Sequence, residues 1–243
     1  MKIRSVILDI YNTLLEVGPP PKDADKLWLE LWHESFGSEP RLRLNAFKTA
    51  CESVIEREHA AARGAGVAFP EVYWPDVVAE VLPEFLRLQP DVRRTFMRGH
   101  ARLTHTLQLF RDAVPVLRRL HERSVLLGLA SNSQPYTLPE LEAEFAPSGL
   151  SVGIFHPSLR FLSFENGFGK PDPHVFRLFE ARLCAWGIRP GEALMVGDRL
   201  DNDIEPAKAH GFQTWHLTFA PGANTGAGDW RALGGFLTVA AGG

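Results

Sequence analysis

The chain has 243 residues, 45% of them apolar, and a formal net charge of −3 at pH 7. That length suffices for one large domain or for a domain with an insertion. The slightly acidic balance lacks the basic field typical of nucleic-acid-binding proteins. Cys51 and Cys184, the two cysteines, lie far apart and have no CxxC spacing, which argues against a disulfide framework or a zinc site.

The N-terminal residues argue against a targeting segment. Basic residues precede a short apolar run, but Asp9 interrupts that run. No later stretch reaches the roughly 18 apolar residues of a membrane span. We therefore expect a cytoplasmic protein, monomeric or homodimeric, that has no membrane or nucleic-acid partner and acts on a small molecule.

Four short apolar runs predict the strands of a buried parallel sheet. Each run is continuous, as expected of strands covered on both faces. The runs span residues 4–9, 124–131, 192–198 and 212–218. Helix-like segments cover residues 112–123, 173–187 and 202–211. The alternation of strand and helix predicts an α/β fold, a doubly wound Rossmann-like parallel sheet.

Residues 16–107 interrupt this alternation, because they show helical periodicity and no run typical of a buried strand. We expect them to form an all-helical cap domain, inserted into a core made of residues 1–15 and 108–243. The tail from residue 220 is rich in Gly and Ala and is expected to cross the surface before a short final element.

Polar residues follow several of the predicted strands or lie in the loops between elements. In an open α/β sheet, ligands bind beyond the carboxyl ends of the strands, so these side chains are expected to converge. Each of them alone is explained as a turn residue or a helix cap, but the ordered set predicts a common site. The set comprises Asp9, Ser131, Asn132, Lys170, Asp198, Asp201 and Asp203.

This ordered set resembles the haloacid dehalogenase superfamily over nearly the whole core. The resemblance implies that Asp9 is a nucleophile and that Thr13 and Ser131 bind the transferring group. It implies that Lys170 balances charge around the nucleophile and that Asn132 belongs to the same catalytic set. The helical insertion resembles the cap that some members of the superfamily carry just after the first motif.

The resemblance also implies a magnesium site, held by Asp9, the main-chain carbonyl of Tyr11, Asp198 and Asp203. A carboxylate that attacks an anionic phosphate is repelled by it, so a dication and a lysine are needed nearby. Mg²⁺ prefers a few carboxylates, carbonyls and waters. Lys170 is expected to keep Asp9 ionised. Asp201 is the less certain acid, and a helix cap is its preferred role.

Tyr11 departs from the pattern of the superfamily's phosphatases, which carry a second aspartate there as the acid–base group. A tyrosine with a pKa near 10 is a poor base at neutral pH. Its carbonyl is unaffected by the change of side chain. The metal site is therefore expected to persist while proton transfer is weakened.

Two alternatives to a magnesium-dependent phosphatase stay open. Tyrosine at this position is what the superfamily's dehalogenases carry, and those enzymes need no metal. They also have a tyrosine where this chain has Phe176, and a serine and an asparagine around Gly197 and Asp198. The second alternative is a catalytically weak homologue that binds metal and ligand.

Overall fold

A six-stranded sheet forms the centre of the computed structural model, which describes residues 2–219 and 226–240. Its paired neighbours all run parallel. In order across the sheet, the strands are β5 (Phe155–Leu162), β4 (Leu126–Ser131), β1 (Ser5–Leu8), β6 (Ala193–Gly197), β7 (Gln213–Leu217) and β8 (Ala227–Gly228). The prediction of a Rossmann-like parallel sheet is confirmed.

Helices cover both faces of this sheet. Three helices pack on one face: α5 (Ala113–Glu122), α6 (Thr137–Phe145) and α10 (Trp230–Ala240). Two pack on the other: α8 (Pro173–Ala185) and α9 (Glu205–Ala209). A short helix, α7 (Ser163–Asn166), follows β5. Successive side chains of a strand point to opposite faces of the sheet, and in β1 both sets are apolar. Val6 and Leu8 pack in the core under α5, α6 and α10, and Ile7 packs in the core under α8 and α9.

Two strands of the sheet were not predicted. β5 contains His156, Pro157 and Ser158 near its start, which interrupt the apolar run. β8 is only two residues long, too short for any periodicity. Both lie at the edges of the sheet, where strands are covered less completely than at the centre.

Four helices, α1 (Ala24–Phe36), α2 (Leu44–Gly64), α3 (Trp74–Val81) and α4 (Pro90–Thr104), occupy most of the interrupting segment. We call residues 16–107, which include these helices and their connections, the insertion. They pack around a core of their own, in which Trp28 stacks on Phe47 with ring centroids 4.9 Å apart. Hydrophobic residues buried in that core do not take part in the two cores of the sheet.

A two-stranded antiparallel ribbon joins the insertion to the core. It consists of β2 (Leu15–Gly18) and β3 (Thr106–Leu109), and the predicted domain boundaries fall inside it. The sequence indicated no strand here, because most of the ribbon's residues are exposed or half-buried and lack an apolar run.

The end of the chain contains the final element expected from the sequence, α10. The predicted surface crossing begins at residues 220–225, which lie outside the described residues. Among the helices that the structure describes, none has the length and apolar character needed to cross a bilayer.

Candidate active site

The central position of β1 explains why the predicted residues meet. Leu8 pairs with Leu129 of β4 on one side and with Val196 of β6 on the other. Asp9 directly follows β1, and its N–H donates to the carbonyl of Val196 at 2.9 Å. Parallel strands end at one edge of the sheet, so the residues at the ends of β4 and β6 lie beside Asp9.

Lys170 lies at the centre of the site and binds two acids. Its Nζ donates to Asp9 Oδ1 at 2.7 Å and to Asp203 Oδ1 at 2.5 Å. All three residues are nearly excluded from solvent, with Asp9 8%, Lys170 3% and Asp203 1% exposed. Burial alone would lower the pKa of Lys170, but the two carboxylates outweigh it and raise that pKa. The ammonium group therefore stays charged.

Three carboxylates converge beside this lysine. Asp9, Asp198 and Asp203 each offer an oxygen, and these oxygens lie within 4.8 Å of one another. With all three acids ionised, one lysine leaves a net charge of −2 in a largely buried site. Oxygen ligands with an uncompensated double negative charge fit Mg²⁺. The donor set is therefore suited to the metal that the sequence predicted.

The pKa of Asp9 differs from the sequence expectation. Lys170 does lower it, as predicted, but burial outweighs the lysine, and the carboxylate of Asp203 adds to the rise. The pKa of Asp9 is thereby raised to about 6. Burial and Asp203 likewise raise the pKa of Asp198. A cation among these acids would offset the repulsion and favour their ionised forms.

Asp201 does not face this cluster. Its carboxylate is exposed and accepts hydrogen bonds from the Arg199 guanidinium, from Nε at 3.0 Å and from Nη2 at 2.6 Å. It lies inside a π-helical turn, Leu200–Ile204, that leads into α9. Asp201 thus lies in the first turn, after the cap position at Arg199, and its carboxylate combines a surface ion pair with main-chain N–H contacts of Asp201 and Asn202.

Asn132 contacts the main chain of Lys170. Its Nδ2 donates to the Lys170 carbonyl at 2.8 Å, and its Oδ1 accepts from the Lys170 N–H at 2.7 Å. Gly169 lies against this amide, since a Cβ there would be 2.6 Å from Asn132 Oδ1. Both groups of the Asn132 amide are thus engaged in positioning the loop that carries the lysine.

Two hydroxyl groups near the strand ends have few partners. Thr13 is fully buried, and its Oγ1 has no hydrogen-bond partner among the described residues. Within residues 2–219 and 226–240, the hydrogen bond of Ser131 Oγ is a long one of 3.4 Å to the carbonyl of Asn132. The turn that carries Thr13 depends on Asn12, whose φ of 55° lies in the left-handed region that asparagine tolerates better than most residues. Both residues are fully buried, and each hydroxyl retains hydrogen-bonding capacity that the described residues leave unused.

The Tyr11 side chain is held by helix α6. Its hydroxyl donates to Glu140 Oε2 at 2.7 Å and lies 2.9 Å from Thr137 Oγ1. His105 contacts its ring edge-on and lies 3.5 Å from the Glu140 carboxylate. Burial, followed by the charge of Glu140, raises the pKa of Tyr11 above its ordinary value. The phenol therefore stays protonated at neutral pH and cannot act as a base.

Sequence reasoning missed these partners of Tyr11. Thr137 and Glu140 are spaced like the first and last residues of a helix capping box, which hides any other role. In the structure, the Thr137 hydroxyl instead accepts from the N–H of Gln134 at 3.1 Å. A signal for these partners was present in the sequence, because Thr137 and Glu140 are two polar residues three positions apart, shortly after the loop that follows Ser131.

Comparisons with known proteins show which family and which proteins this chain is similar to. The family described as haloacid dehalogenase-like hydrolase matches residues 3–211. A phosphoserine phosphatase from Thermus thermophilus is 34% identical over 123 residues, which cover 50% of this chain and 45% of that protein. A glyceraldehyde 3-phosphate phosphatase from Methanopyrus kandleri is 33% identical over 111 residues, 44% of this chain and 42% of its own. The chain thus matches less than half the length of these relatives.

Solved structures of dehalogenases share the fold. An L-2-haloacid dehalogenase superposes with a TM-score of 0.54 at 24% identity, over 98% of this chain and all of the other. A 2-haloacid dehalogenase from Pseudomonas syringae pv. Tomato DC3000 superposes with a TM-score of 0.60 at 20% identity, over 98% of this chain and 99% of the other. At these identities the likeness concerns the fold alone.

Gly197 provides a test of the site's packing. A Cβ at this position would overlap the carboxyl group of Asp203. Gly197→Ala should therefore displace the buried acid and reduce the free energy of unfolding by about 1–3 kcal/mol, the usual cost of overpacking. Urea denaturation measures this effect. Gly191→Ala is the matched control, because a Cβ there meets only the Gly211 carbonyl at 3.9 Å. Equal stability of the two variants would contradict the assignment.

Proposed function

The chain belongs to the haloacid dehalogenase-like hydrolase family, and we propose on that basis that it is a magnesium-dependent phosphatase for a small phosphorylated metabolite. The observation that carries the proposal is the cluster of Asp9, Asp198 and Asp203 around one lysine. Its excess negative charge suits a cation bound beside an anionic substrate. The two phosphatase relatives support the same reaction class.

The proposed ligands of Mg²⁺ are Asp9, Asp198 and the carbonyl of Tyr11, with Asp203 bound directly or through water. Asp203 is the most constrained of these, because Lys170 engages its Oδ1 and the Arg199 N–H donates to its Oδ2 at 3.1 Å. The ion would supply charge neutralisation between the carboxylate nucleophile and the phosphate.

The residues of this chain account for the two chemical steps. A carboxylate oxygen of Asp9 attacks phosphorus, the bond from phosphorus to the leaving oxygen breaks, and an aspartyl-phosphate forms. The hydroxyls of Thr13 and Ser131 bind the phosphoryl oxygens, and Lys170 offsets their charge. Water then attacks the aspartyl-phosphate, which releases inorganic phosphate and restores the Asp9 carboxylate.

Proton transfer is the weak part of this reaction. The leaving alkoxide must gain a proton and the attacking water must lose one, and Tyr11 is unsuited to the second task. Its hydroxyl is engaged by Glu140, and its pKa is raised above the ordinary range. Loss of a general acid–base group typically costs about 10²–10⁴ in rate. We therefore propose slow turnover on esters with poor leaving groups.

We propose that the insertion, residues 16–107, acts as a cap over this site. A cavity of about 640 Å³ lies between the insertion and the loop after β4. Tyr73 and Met97 line it from the insertion, and Pro135 and Tyr136 line it from the core. None of its lining residues belongs to the acid cluster. The cavity therefore supports the proposal only by placing the insertion beside the loop that follows Ser131 and Asn132.

A 2-haloacid dehalogenase that uses Asp9 without metal is the runner-up, and Tyr11 is the observation in its favour. Two others count against it. Gly197, where the dehalogenases carry serine, has no room for a side chain. Phe176, where they carry tyrosine, is 2% exposed, belongs to a hydrophobic core and packs on His210 and Phe212. A catalytically weak homologue is the third candidate.

The metal assignment predicts a selective loss of binding. Asp198→Asn should abolish the heat of Mg²⁺ binding in titration calorimetry, because it removes a charged ligand from the cluster. Asp201→Asn is the control and should bind as the wild type does, since Asp201 pairs with Arg199. Turnover of an aryl phosphate should stop with a chelator and return with added Mg²⁺. Equal affinity in both variants would refute the assignment, and halide release indifferent to the chelator would favour the dehalogenase.

The account of Tyr11 predicts a gain of activity. Tyr11→Asp should raise turnover on unactivated phosphate esters by about 10²-fold or more, because it restores an acid–base carboxyl near Asp9. Tyr11→Asn has nearly the same size and loses the same tyrosine contacts, so the difference between the two variants isolates the carboxyl. The gap should narrow on an aryl phosphate, whose leaving group needs little protonation. Equal rates for the two variants on alkyl phosphates would count against the account.

A further inference from the structure

The connection between α2 and α3 pairs with a loop of the core, residues 167–169, immediately before Lys170. The N–H of Gly169 donates to the carbonyl of Phe69 at 3.0 Å, and the N–H of Glu71 donates to the carbonyl of Gly167 at 3.0 Å. Between these bonds, Pro70 and Phe168 form an antiparallel bridge. The insertion is therefore tied by its backbone to the loop that immediately precedes the site lysine.

The side chain of Glu71 reaches a second loop of the core. Its Oε2 accepts from Ser163 Oγ at 2.7 Å, and its Oε1 accepts from Gln134 Nε2 at 3.1 Å. Ser163 Oγ in turn accepts from the N–H of Ser133 at 2.8 Å. Ser163 and Ser133 are buried. Glu71 is thus linked to the loop that carries Ser131 and Asn132.

The side chain of Gln134, in the core, also binds main-chain groups of the insertion. Its Nε2 also donates to the carbonyl of Val72 at 2.9 Å, and its Oε1 accepts from the N–H of Trp74 at 2.9 Å. Trp74 is the first residue of α3, where main-chain N–H groups lack partners within the helix. A side chain of the core therefore satisfies the start of a helix in the insertion.

These bonds join the two loops of the site to the insertion. Asn132, next to Ser133, holds both main-chain groups of Lys170. Glu71 is a suitable centre for such a network, because a carboxylate accepts hydrogen bonds and its partners here donate. Burial raises the pKa of Glu71, and the hydrogen bonds from Ser163, the Val72 N–H and Gln134 oppose that rise by favouring the ionised form. Hydrogen bonds to a charged group are stronger than neutral ones, and a buried acceptor left unpaired is costly.

We propose that Glu71 is a positioning residue. It couples the docking of the insertion against the core to the positions of two loops, residues 131–134 and residues 167–170. It does not touch the reacting atoms. When the insertion is docked against the core, the hydrogen bonds of Glu71 and Gln134 hold both loops in place. When it is not, the loops lose these contacts and Lys170 is held less firmly. The kinetic part of this inference rests on the proposed phosphatase activity, whereas the structural part does not.

Hydrogen exchange of the full chain tests the structural part without any substrate. Glu71→Ala should speed exchange about tenfold in peptides covering residues 131–134 and 167–170, while β6 keeps its wild-type rate. Ser163→Ala removes one link and should affect the same peptides. Glu58→Ala, on α2, is the matched control, because the Glu58 carboxylate is exposed and pairs with the neighbouring Arg57 on the surface. Unchanged exchange in those peptides, or equal acceleration throughout the chain, would overturn the proposal.

Kinetics and metal binding test the catalytic part. With an aryl phosphate, Glu71→Ala should lower kcat about tenfold and leave the Mg²⁺ affinity within about twofold, because Asp198 and Asp203 are untouched. Glu71→Gln keeps one accepting oxygen and should recover part of the loss. An active wild type whose kcat is unaffected by Glu71→Ala would overturn the coupling. A wild type without turnover would instead refute the proposed function, and the exchange experiment would still decide the structural part.

Discussion

The site depends on one buried ammonium group shared by two carboxylates. Lys170 lies between Asp9 and Asp203, and none of the three is accessible enough for water to solvate its charge. Removing Lys170 would leave two buried carboxylates without a counter-charge, which is far more costly than the net gain of forming the pairs. The surrounding residues are arranged to keep this contact. Asn132 holds the main chain of Lys170, Gly169 leaves room for Asn132, and Gly197 leaves room for the Asp203 carboxyl.

The same contact leaves an excess of negative charge, and this excess is the reason for proposing a cation at the site. Lys170 compensates one negative charge, but three carboxylates meet there. The raised pKa values of Asp9 and Asp198 express this imbalance, since burial and mutual repulsion disfavour ionisation. A nucleophilic carboxylate must be ionised, so the arrangement is best suited to reaction when a dication completes it. A halide-releasing enzyme has no need for so many acids.

Much of the fold and of the site was predictable because both depend on local pattern. The continuous apolar runs of β1, β4, β6 and β7 were predicted within two residues at each end. Strand ends meet at one sheet edge by topology alone, which brought Asp9 and Ser131 together without knowledge of distances. The edge strand β5 was missed, because a histidine and a proline near its start interrupt the pattern.

The details that decide the chemistry depend on contacts distant in sequence. The hydroxyl of Tyr11 contacts Thr137 and Glu140, which lie 126 and 129 positions later in the chain. This contact could not be predicted from residues close to Tyr11 in the sequence. Asn132 was predicted as a catalytic residue by resemblance, yet its amide faces the main chain of Lys170. Glu71 lies in a loop of the insertion with no motif, and only the folded structure places it against Ser163.

The central claim is that Asp9 is a nucleophile toward phosphorus, and mass spectrometry of the enzyme tests it most directly. After mixing with acetyl phosphate and Mg²⁺ and rapid quenching, the peptide containing Asp9 should gain the mass of a phosphoryl group. The adduct should be absent in Asp9→Asn and without Mg²⁺, and it should accumulate because Tyr11 cannot activate water for its hydrolysis. An unmodified peptide under all conditions, or an ester formed with a 2-haloacid without metal, would contradict the account.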